Sequence, residues 1–293
     1  MKTSLLSICF SLTISIFVAP QSVLRSKSRL AKDKSVVPIS GGTFQMGTDA
    51  SKISQIAEAF NIAKHPDLIQ AETPRHSVTI SSFYLDKYEV TNLQFQRFIR
   101  ARPEWSAAQI PRRFHNGNYL KEWRGGNFPE GQANHPVVNV SWYAAVAFCQ
   151  YMGKRLPTEA EWEFAARGGL QNKTFPWGDE PPDKTRANYA GSNIKSTTAV
   201  GTYPANGYGL FDIAGNVWEF MADEWAPYSP AAQINPVAGG NLFLDKSFLD
   251  VTTRRVIRGG SWGGASLNLR VTYRDSHPPE GARDFVGFRC AAS

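Results

Sequence analysis

The sequence predicts an irregular α+β domain with little regular secondary structure. Apolar side chains recur at helical spacing only before Gly169, so the helices belong to the first part of the chain. After Gly169, turn-forming stretches such as FPWGDEPPD, PANGYG and GGSWGG dominate. The 24 glycines, 18 prolines and 8 tryptophans are typical of a loop-rich core without long helices.

The N-terminal segment predicts export. Lys2 precedes an uncharged apolar run from Leu5 to Ala19, which has the length of a secretory signal and is short for a membrane span. No A-x-A cleavage motif follows, and a basic cluster from Arg25 to Lys34 lies on the side that would cross the membrane. An uncleaved membrane anchor is therefore the alternative. We expect a periplasmic or secreted protein, or one that this segment anchors to the membrane.

The chain is organised into a leader and one large domain. We predict a signal peptide or anchor over residues 1–22, a basic linker over 23–35 and a single domain over 36–293. The formal net charge is +7, but five of these charges lie in residues 1–35. Because the remaining domain is nearly neutral, we expect no nucleic-acid partner.

The first elements of the domain are short strands. The stretch VVPISGGTFQMGTD predicts a strand that turns at Gly41–Gly42, and HSVTISSFYLDKYEVT predicts a strand pair that leads into a helix. This first helix begins at Thr91. The Thr91 hydroxyl can cap the helix while Gln94 reaches back to it, which makes a capping box.

Two further helices follow. The second begins at Ser141, and its apolar residues, which include Cys149 and Met152, recur every three or four positions. This spacing predicts that Cys149 lies on the buried face, and Gly153 fits the end of the helix. The third helix begins with a second capping box, formed by Thr158 and Glu161, and ends at Gly168. Its alternating glutamates are expected to be explained by solvation or capping; they are Glu159, Glu161 and Glu163.

The domain contains two cysteines, Cys149 and Cys290. In an exported domain, this number favours one disulfide. Two buried free thiols are the alternative.

Nine separated segments occur in an order that resembles the sulfatase-modifying-factor family, whose founding member is the formylglycine-generating enzyme. The segments are GGTFQMG, YEVTNLQFQRFI, HPVVNVSWYAAVAFC, GKRLPTEAEWEFAARGG, FPWGDE, ANYAGS, VGTYPANGYGLFDIAGNVWEF, RVIRGGSW and GFRCA. The resemblance covers roughly residues 36–293 and implies one compact domain with a fold related to C-type lectins. It also implies a disulfide between the cysteine of the AFC helix, Cys149, and that of the terminal GFRC, Cys290.

The resemblance further implies calcium binding. One set of ligands would come from DIAGNVWE: the side chains of Asp212 and Glu219 and the main-chain carbonyls of Gly215 and Val217. Hard oxygen ligands of this kind suit calcium, although the two acids could instead cap turns. A second site would begin with the side chain of Asn188 and the carbonyl of Tyr189. That site also needs an acidic residue on the next loop, and AGSNIKSTTAV contains none.

The chemistry of the founding member is missing from this sequence. The resemblance places two cysteines that hold copper(I) just after GGS. The corresponding stretch, Gly263 to Leu269, contains no cysteine, and none occurs between Cys149 and Cys290. The sequence therefore argues against copper and against the standard formylglycine mechanism. The five histidines show no HxH, HxxxH or HExxH spacing, but an iron site made of distant histidines stays open.

In the family, the GGS segment lines a substrate groove, so the resemblance implies a groove here for a peptide or a small molecule. Its predicted residues are Trp218, Ser261, Trp262, Arg270 and Arg274. Trp262 could equally pack on the core. The two arginines could grip a carboxylate or sulfate, or they could bind the acidic calcium loop or main-chain carbonyls.

Two functions of different class remain. The protein could be a binding or accessory module that keeps the fold and the groove without the copper chemistry. It could also be a divergent extracytoplasmic oxidoreductase that uses another metal site. Such an oxidase would resemble the formylglycine-generating enzyme or the periplasmic relatives linked to siderophore maturation.

Overall fold

The computed structural model of the protein describes residues 33–240 and 247–293. The predicted signal or anchor segment and nearly all of the predicted linker lie outside the described residues. Within the two described ranges, no helix is both long enough and apolar enough to cross a membrane. Residues 34–293 form one compact unit.

Short strands and helices alternate with long irregular segments, which confirms the predicted α+β class. The strands are β1 (Val36–Ile39), β2 (Gly42–Met46), β3 (His76–Ile80), β4 (Phe83–Asp86), β5 (Trp218–Glu224), β6 (Gln233–Ile234), β7 (Arg255–Arg258), β8 (Arg274–His277), β9 (Val286–Gly287) and β10 (Ala291–Ala292). The α-helices are α1 (Ile53–Ala59), α2 (Asp67–Gln70), α3 (Asn92–Ala101), α4 (Trp142–Tyr151) and α5 (Glu159–Ala166).

The described strands form three small sheets, with orders β1-β4-β10, β2-β3-β6 and β8-β7-β5-β9. The strands β3 and β4, predicted as a pair, do not pair with each other: β4 pairs with β1, and β3 pairs with β2. The two connecting turns lie against each other, since a Cβ on Gly41 would come within 2.2 Å of the Ile80 carbonyl oxygen. The β1–β2 and β3–β4 connections therefore pass side by side between the sheet that contains β1 and β4 and the sheet that contains β2 and β3.

The three predicted helices are confirmed. Thr91 caps α3 and Thr158 caps α5, each in a complete capping box, while the Ser141 hydroxyl caps α4. All residues of α4 from Trp142 to Cys149 are buried. Met152 instead lies past the end of the helix and is 48% exposed, because the chain turns away at Gly153 with a φ of 69°.

The prediction that solvation or capping explains the three glutamates of α5 was wrong for two of them. Glu161 does cap the helix. Glu159, Glu161 and Glu163 are all buried, because α5 packs against β2, β3, β5 and β7. Buried carboxylates need charged or hydrogen-bonding partners, and these partners come from the C-terminal part of the chain.

An aromatic core joins α3 and α4 to the last residues of the chain. Phe95 of α3 stacks on Phe148 of α4 with ring centroids 5.8 Å apart, and Phe288 packs edge-on against Phe148 at 5.5 Å. Beside this cluster, Cys149 and Cys290 form a disulfide with a Cα–Cα distance of 5.7 Å. The predicted disulfide is confirmed, and it links α4 covalently to the C-terminal segment.

Peptide mapping after alkylation of the unfolded, unreduced protein is expected to find Cys149 and Cys290 unmodified and joined. Replacing both by alanine is expected to lower the free energy of unfolding by about 4–5 kcal/mol, because the unfolded chain regains the entropy of an open loop of this length. Urea denaturation measures this loss. Alkyl groups on both cysteines of the unreduced protein would contradict the assignment.

Candidate functional site

The predicted calcium segment is a tight turn that precedes β5. Asp212, Gly215 and Asn216 have positive φ values of 52°, 91° and 58°. Only glycine fits at position 215, since a Cβ there would lie 2.5 Å from the Asn188 carbonyl oxygen. The turn thus depends on close contact between two backbone segments.

Backbone hydrogen bonds attach this turn to the GGS segment. The Gly215 N–H donates to the Gly259 carbonyl at 2.8 Å, and the Trp262 N–H donates to the Asn216 carbonyl at 2.8 Å. On the other side, the Asn216 N–H donates to the Asn188 carbonyl at 2.8 Å. The structure therefore brings together three regions that the sequence singled out separately.

Asp212 is a buried carboxylate with one oxygen unused. Its Oδ2 accepts from the Gly201 N–H at 2.5 Å, whereas Oδ1 is buried and has no hydrogen-bond partner in the described residues. Burial raises the pKa of Asp212 to about 6, although the Gly201 N–H partly offsets this rise. An oxygen of this kind suits a cation that approaches from the turn.

Glu219, the second predicted carboxylate ligand, is fully engaged. Arg289 donates from Nε to Oε2 at 2.8 Å and from Nη2 to Oε1 at 2.7 Å. The Trp162 indole also donates to Oε2 at 2.9 Å. Both oxygens of Glu219 are therefore occupied by protein donors.

Glu89 is a third buried carboxylate beside this turn, and it was missed by the sequence reasoning. Its Oε2 accepts from the Asn216 side chain at 2.7 Å, and its Oε1 accepts from the Val217 N–H at 3.3 Å. Burial, together with Asp212 and Glu219, raises the pKa of Glu89 well above its usual range. The one signal in the sequence is a carboxylate within the apolar stretch YEVT, just before a helix cap.

The residues fit a calcium ion in part. Three carboxylates surround the turn and Arg289 is the cation acting on them, so burial and the neighbouring carboxylates raise the pKa values of Asp212 and Glu89. The free Oδ1 of Asp212 fits a divalent cation, whereas Glu219 offers no free oxygen. Within the described ranges, no three His, Cys, Asp or Glu side chains converge on a point that could hold a metal. Most oxygens for an ion here would have to be main-chain carbonyls or water.

The first residues of the other predicted calcium site are already engaged within their own loop. The single hydroxyl proton of Ser192 can be donated either to the Tyr189 carbonyl at 2.7 Å or to the Asn188 Oδ1 at 3.1 Å. The Asn188 Nδ2 donates to the Ser196 carbonyl at 2.8 Å. Asn188 and Tyr189 therefore have hydrogen-bond partners within their own loop.

The segment Gly263–Leu269 after GGS holds small and aliphatic residues and one asparagine. Ser261 is buried, and its carbonyl accepts from the Gly264 N–H at 2.9 Å. A short 3₁₀-helix follows over Ser266–Leu269. Its Leu269 is 1% exposed and packs with Phe175 and Ala214. The place where the resemblance puts the copper-holding cysteines is therefore filled by backbone turns and a leucine core.

The two predicted groove tryptophans lie in different surroundings. Trp218 is buried in the main core, with its ring centroid 5.9 Å from that of Tyr273. Trp262 is half-buried at the surface, and its indole donates to the Asp284 carbonyl at 3.0 Å. Of the two, Trp262 is the one that solvent can reach beside Ser261.

Both predicted groove arginines are buried in ion pairs. Arg270 donates to both oxygens of Glu72 at 2.8 Å. Arg274 donates to both oxygens of Glu159 at 2.7 Å, and also to the Ala71 and Ala226 carbonyls. Their carboxylate partners come from α5 and from the segment after α2, and neither partner belongs to the DIAGNVWE turn.

The glutamates of α5 each bind an arginine. Glu159 pairs with Arg274, Glu161 pairs with Arg155 at 2.6 Å, and Glu163 pairs with the fully buried Arg258. Close to Glu159, Asp223 accepts from the Glu159 N–H at 2.7 Å and from the Ala238 N–H at 2.9 Å. Burial and the nearby Glu159 carboxylate raise the pKa of Asp223 to about 7.

Known proteins resemble this chain over most of its length. The chain is 33% identical to the mouse (Mus musculus) formylglycine-generating enzyme over 300 residues, which cover 88% of this chain and 74% of the enzyme. It is also 33% identical to the mouse inactive C-alpha-formylglycine-generating enzyme 2 over 305 residues, which cover 90% of this chain and 87% of that protein.

Comparison of structures supports the same fold. Treponema denticola variable protein 1 superposes with a TM-score of 0.63 at 24% identity, covering 88% of this chain and 94% of that one. The family model of the sulfatase-modifying factor enzyme 1-like domain matches residues 21–293. The chain therefore belongs to the sulfatase-modifying factor family.

Proposed function

We propose that this protein is a ligand-binding or accessory member of its family that does not carry out copper-dependent formylglycine formation. One observation carries the proposal. The segment Gly263–Leu269 contains no thiol, and the two cysteines of the domain are joined in a disulfide with no solvent exposure. The domain therefore offers no free thiolate to hold copper(I).

Relatives named as formylglycine-generating enzymes and a relative named as inactive are equally similar to the chain, at 33% identity. The other function that the sequence left open, an oxidase with a different metal site, has less support. Among the residues that the structure places, no cluster of three His, Cys, Asp or Glu side chains could hold a metal. The three glutamates of α5 are also each paired with an arginine.

We place a peptide or small-molecule ligand beside Trp262. This indole is half-buried and is fixed by its hydrogen bond to Asp284, so it offers a rigid aromatic surface. Exposed Gly263 and Ala265 follow it directly, leaving room for a ligand against the backbone. The disulfide is consistent with the proposed location in the periplasm or outside the cell.

We also propose that calcium binds at the turn before β5. The free oxygen of Asp212, with the main-chain carbonyls of Gly215 and Val217, would hold the ion, and Glu219 would have to share its carboxylate with Arg289. The ion would supply positive charge to a region that holds three buried carboxylates. Its role would be structural, because the same turn carries the hydrogen bond to the backbone of Trp262.

Copper and oxygen assays test the loss of the family chemistry. The purified protein is expected to bind no stoichiometric copper(I) and to consume no oxygen with a cysteine-containing peptide, because no thiolate pair is present. The mouse formylglycine-generating enzyme, assayed in parallel, serves as the positive control. Stoichiometric copper or iron together with oxygen uptake on the peptide thiol would overturn the proposal.

Thermal unfolding tests the calcium site. Saturating calcium is expected to raise the Tm by on the order of 5–10 °C, because an ion that binds only the folded state adds its binding free energy to stability. Asp212→Gly should abolish this response, since glycine tolerates the positive φ and removes the carboxylate. Asp183→Gly removes an exposed carboxylate and should respond like the wild type. An equal calcium response in the two variants, or none in the wild type, would rule out the site.

A further inference from the structure

A cavity of about 290 Å³ lies between the first part of the domain and the loop that follows α5. Its volume is close to the lower end of the range for small-molecule sites, roughly 300–1,000 Å³. The cavity is lined by residues from positions 45 to 60 and 167 to 174, by Arg75, and by Arg270 and Thr272 in the turn after Leu269. The residues that matter chemically are Asp49, Lys52, Arg75, Arg167, Lys173 and Arg270.

Five of these lining residues are cationic and one is acidic. Two of the cations are neutralised by their own carboxylates, since Arg270 pairs with Glu72 and Lys173 pairs with Asp179 at 2.7 Å. The single lining carboxylate, Asp49, already accepts from both the backbone and the hydroxyl of Ser51. The cavity therefore holds more positive than negative charge.

Arg75 and Arg167 account for most of this excess. Arg75 is exposed and donates to the neutral Asn172 side chain at 2.7 Å. Arg167 donates to Glu163 at 2.7 Å, but Glu163 is shared with the fully buried Arg258. Its Nε is buried without an acceptor in the described residues. Arg167 thus shares the Glu163 carboxylate with Arg258, while Arg75 has a neutral amide as its hydrogen-bond partner and Asp49, which also faces Lys52, as the nearby carboxylate.

One wall of the cavity is apolar. Ile56, Ala59 and Phe60 line it from α1 and its end, and the ring of Phe60 lies 6.3 Å from that of Phe175. Neutral hydrogen-bonding side chains complete the lining: Gln45, Thr48, Gln55, Asn172, Thr174 and Thr272. A lining that combines cationic and apolar side chains fits a ligand that has both an anionic group and a carbon skeleton.

The base of the cavity is held by hydrogen bonds rather than by mobile side chains. Thr48 donates its N–H to the Glu72 carbonyl at 2.8 Å and its hydroxyl to the Glu72 carboxylate at 2.7 Å. The Val271 N–H donates to the Thr174 carbonyl at 2.9 Å. A ligand would therefore enter a preformed base and would spend little of its binding free energy on ordering it.

We propose that this cavity binds a small organic anion. Its carboxylate or sulfate group would lie between Arg75 and Arg167, where guanidinium groups can donate paired, charge-assisted hydrogen bonds. Its carbon skeleton would lie against Ile56, Ala59 and Phe60. The site is separate from the surface beside Trp262, so its existence does not depend on the proposed function.

Isothermal calorimetry on the purified protein tests this proposal with four probes: phenyl sulfate, benzoate, inorganic sulfate and benzyl alcohol. At least one of the two aromatic anions should bind, and comparing them distinguishes a sulfate ligand from a carboxylate. Inorganic sulfate should bind more weakly because it leaves the apolar wall uncovered, and benzyl alcohol should bind more weakly because it has no charge. Added salt should weaken the binding of the anions.

Arg75→Gln removes the exposed guanidinium and leaves the buried ion pairs intact. It should lower the affinity for the preferred anion roughly tenfold. Ala59→Trp fills the space beside the apolar lining residues and should lower the affinity for the anion by a comparable factor. The matched control is Arg102→Gln, which removes an exposed arginine paired with Glu104 and should leave affinity unchanged.

Three results would overturn the proposal. The first is that neither aromatic anion binds at millimolar concentration. The second is that benzyl alcohol binds as tightly as the anions. The third is that the Arg75→Gln and Arg102→Gln variants bind the preferred anion with the same affinity. Circular dichroism of the variants checks that each one is folded, and the Ala59→Trp variant tests the apolar wall independently of charge.

Discussion

The domain depends on buried ion pairs between early glutamates and late arginines. Glu159 of α5 is separated by 115 residues from Arg274, its bidentate partner. Glu72 and Arg270 are separated by 198 residues. Each pair joins the helical first part of the chain to the segment that follows GGS. With strands of only two to seven residues in the described ranges, backbone ladders are short, and side chains carry much of the long-range pairing.

Such pairs hold a fold only if both partners are present. Removing two charges from water is costly, and the attraction between them offsets that cost when the geometry is good and the other donors are also satisfied. Arg274 meets this condition, because its remaining donor reaches the Ala71 and Ala226 carbonyls. The arginines after GGS therefore act first as structural anchors, and they fix the segment that carries the buried Ser261 and the half-buried Trp262. The disulfide ties the same C-terminal segment to α4 on its other side.

Local features of this fold could be predicted from the sequence. The caps at Thr91, Ser141 and Thr158 involve atoms within three residues of each other, so their spacing is enough to predict them. The disulfide could be predicted because only two cysteines occur in the domain. The family resemblance supplied the overall class, since its motifs occur in one order along the chain.

Features that depend on distant contacts could not be predicted. The alternation of glutamates in α5 places them on different sides of the helix, and only the surrounding strands make every side buried. Glu72 carries no local pattern that distinguishes it from a surface acid, and the one local signal for Glu89 is its place within YEVT just before a helix cap. The charge of the cavity near Arg75 arises because Glu163 is shared between two arginines, and a linear sequence does not reveal sharing of this kind.

A double-mutant cycle on Glu159 and Arg274 tests most directly whether these pairs hold the fold. Each single change, Glu159→Gln or Arg274→Met, should lower the free energy of unfolding in urea by about 3–5 kcal/mol, because each leaves a buried charge unpaired. The double variant should lose much less than the sum, whereas the exposed pair Arg102 and Glu104 should show a coupling of less than about 1 kcal/mol. Small and additive losses of unfolding free energy in the Glu159 and Arg274 variants would contradict this account. Arg274 would then be available for a role in ligand binding.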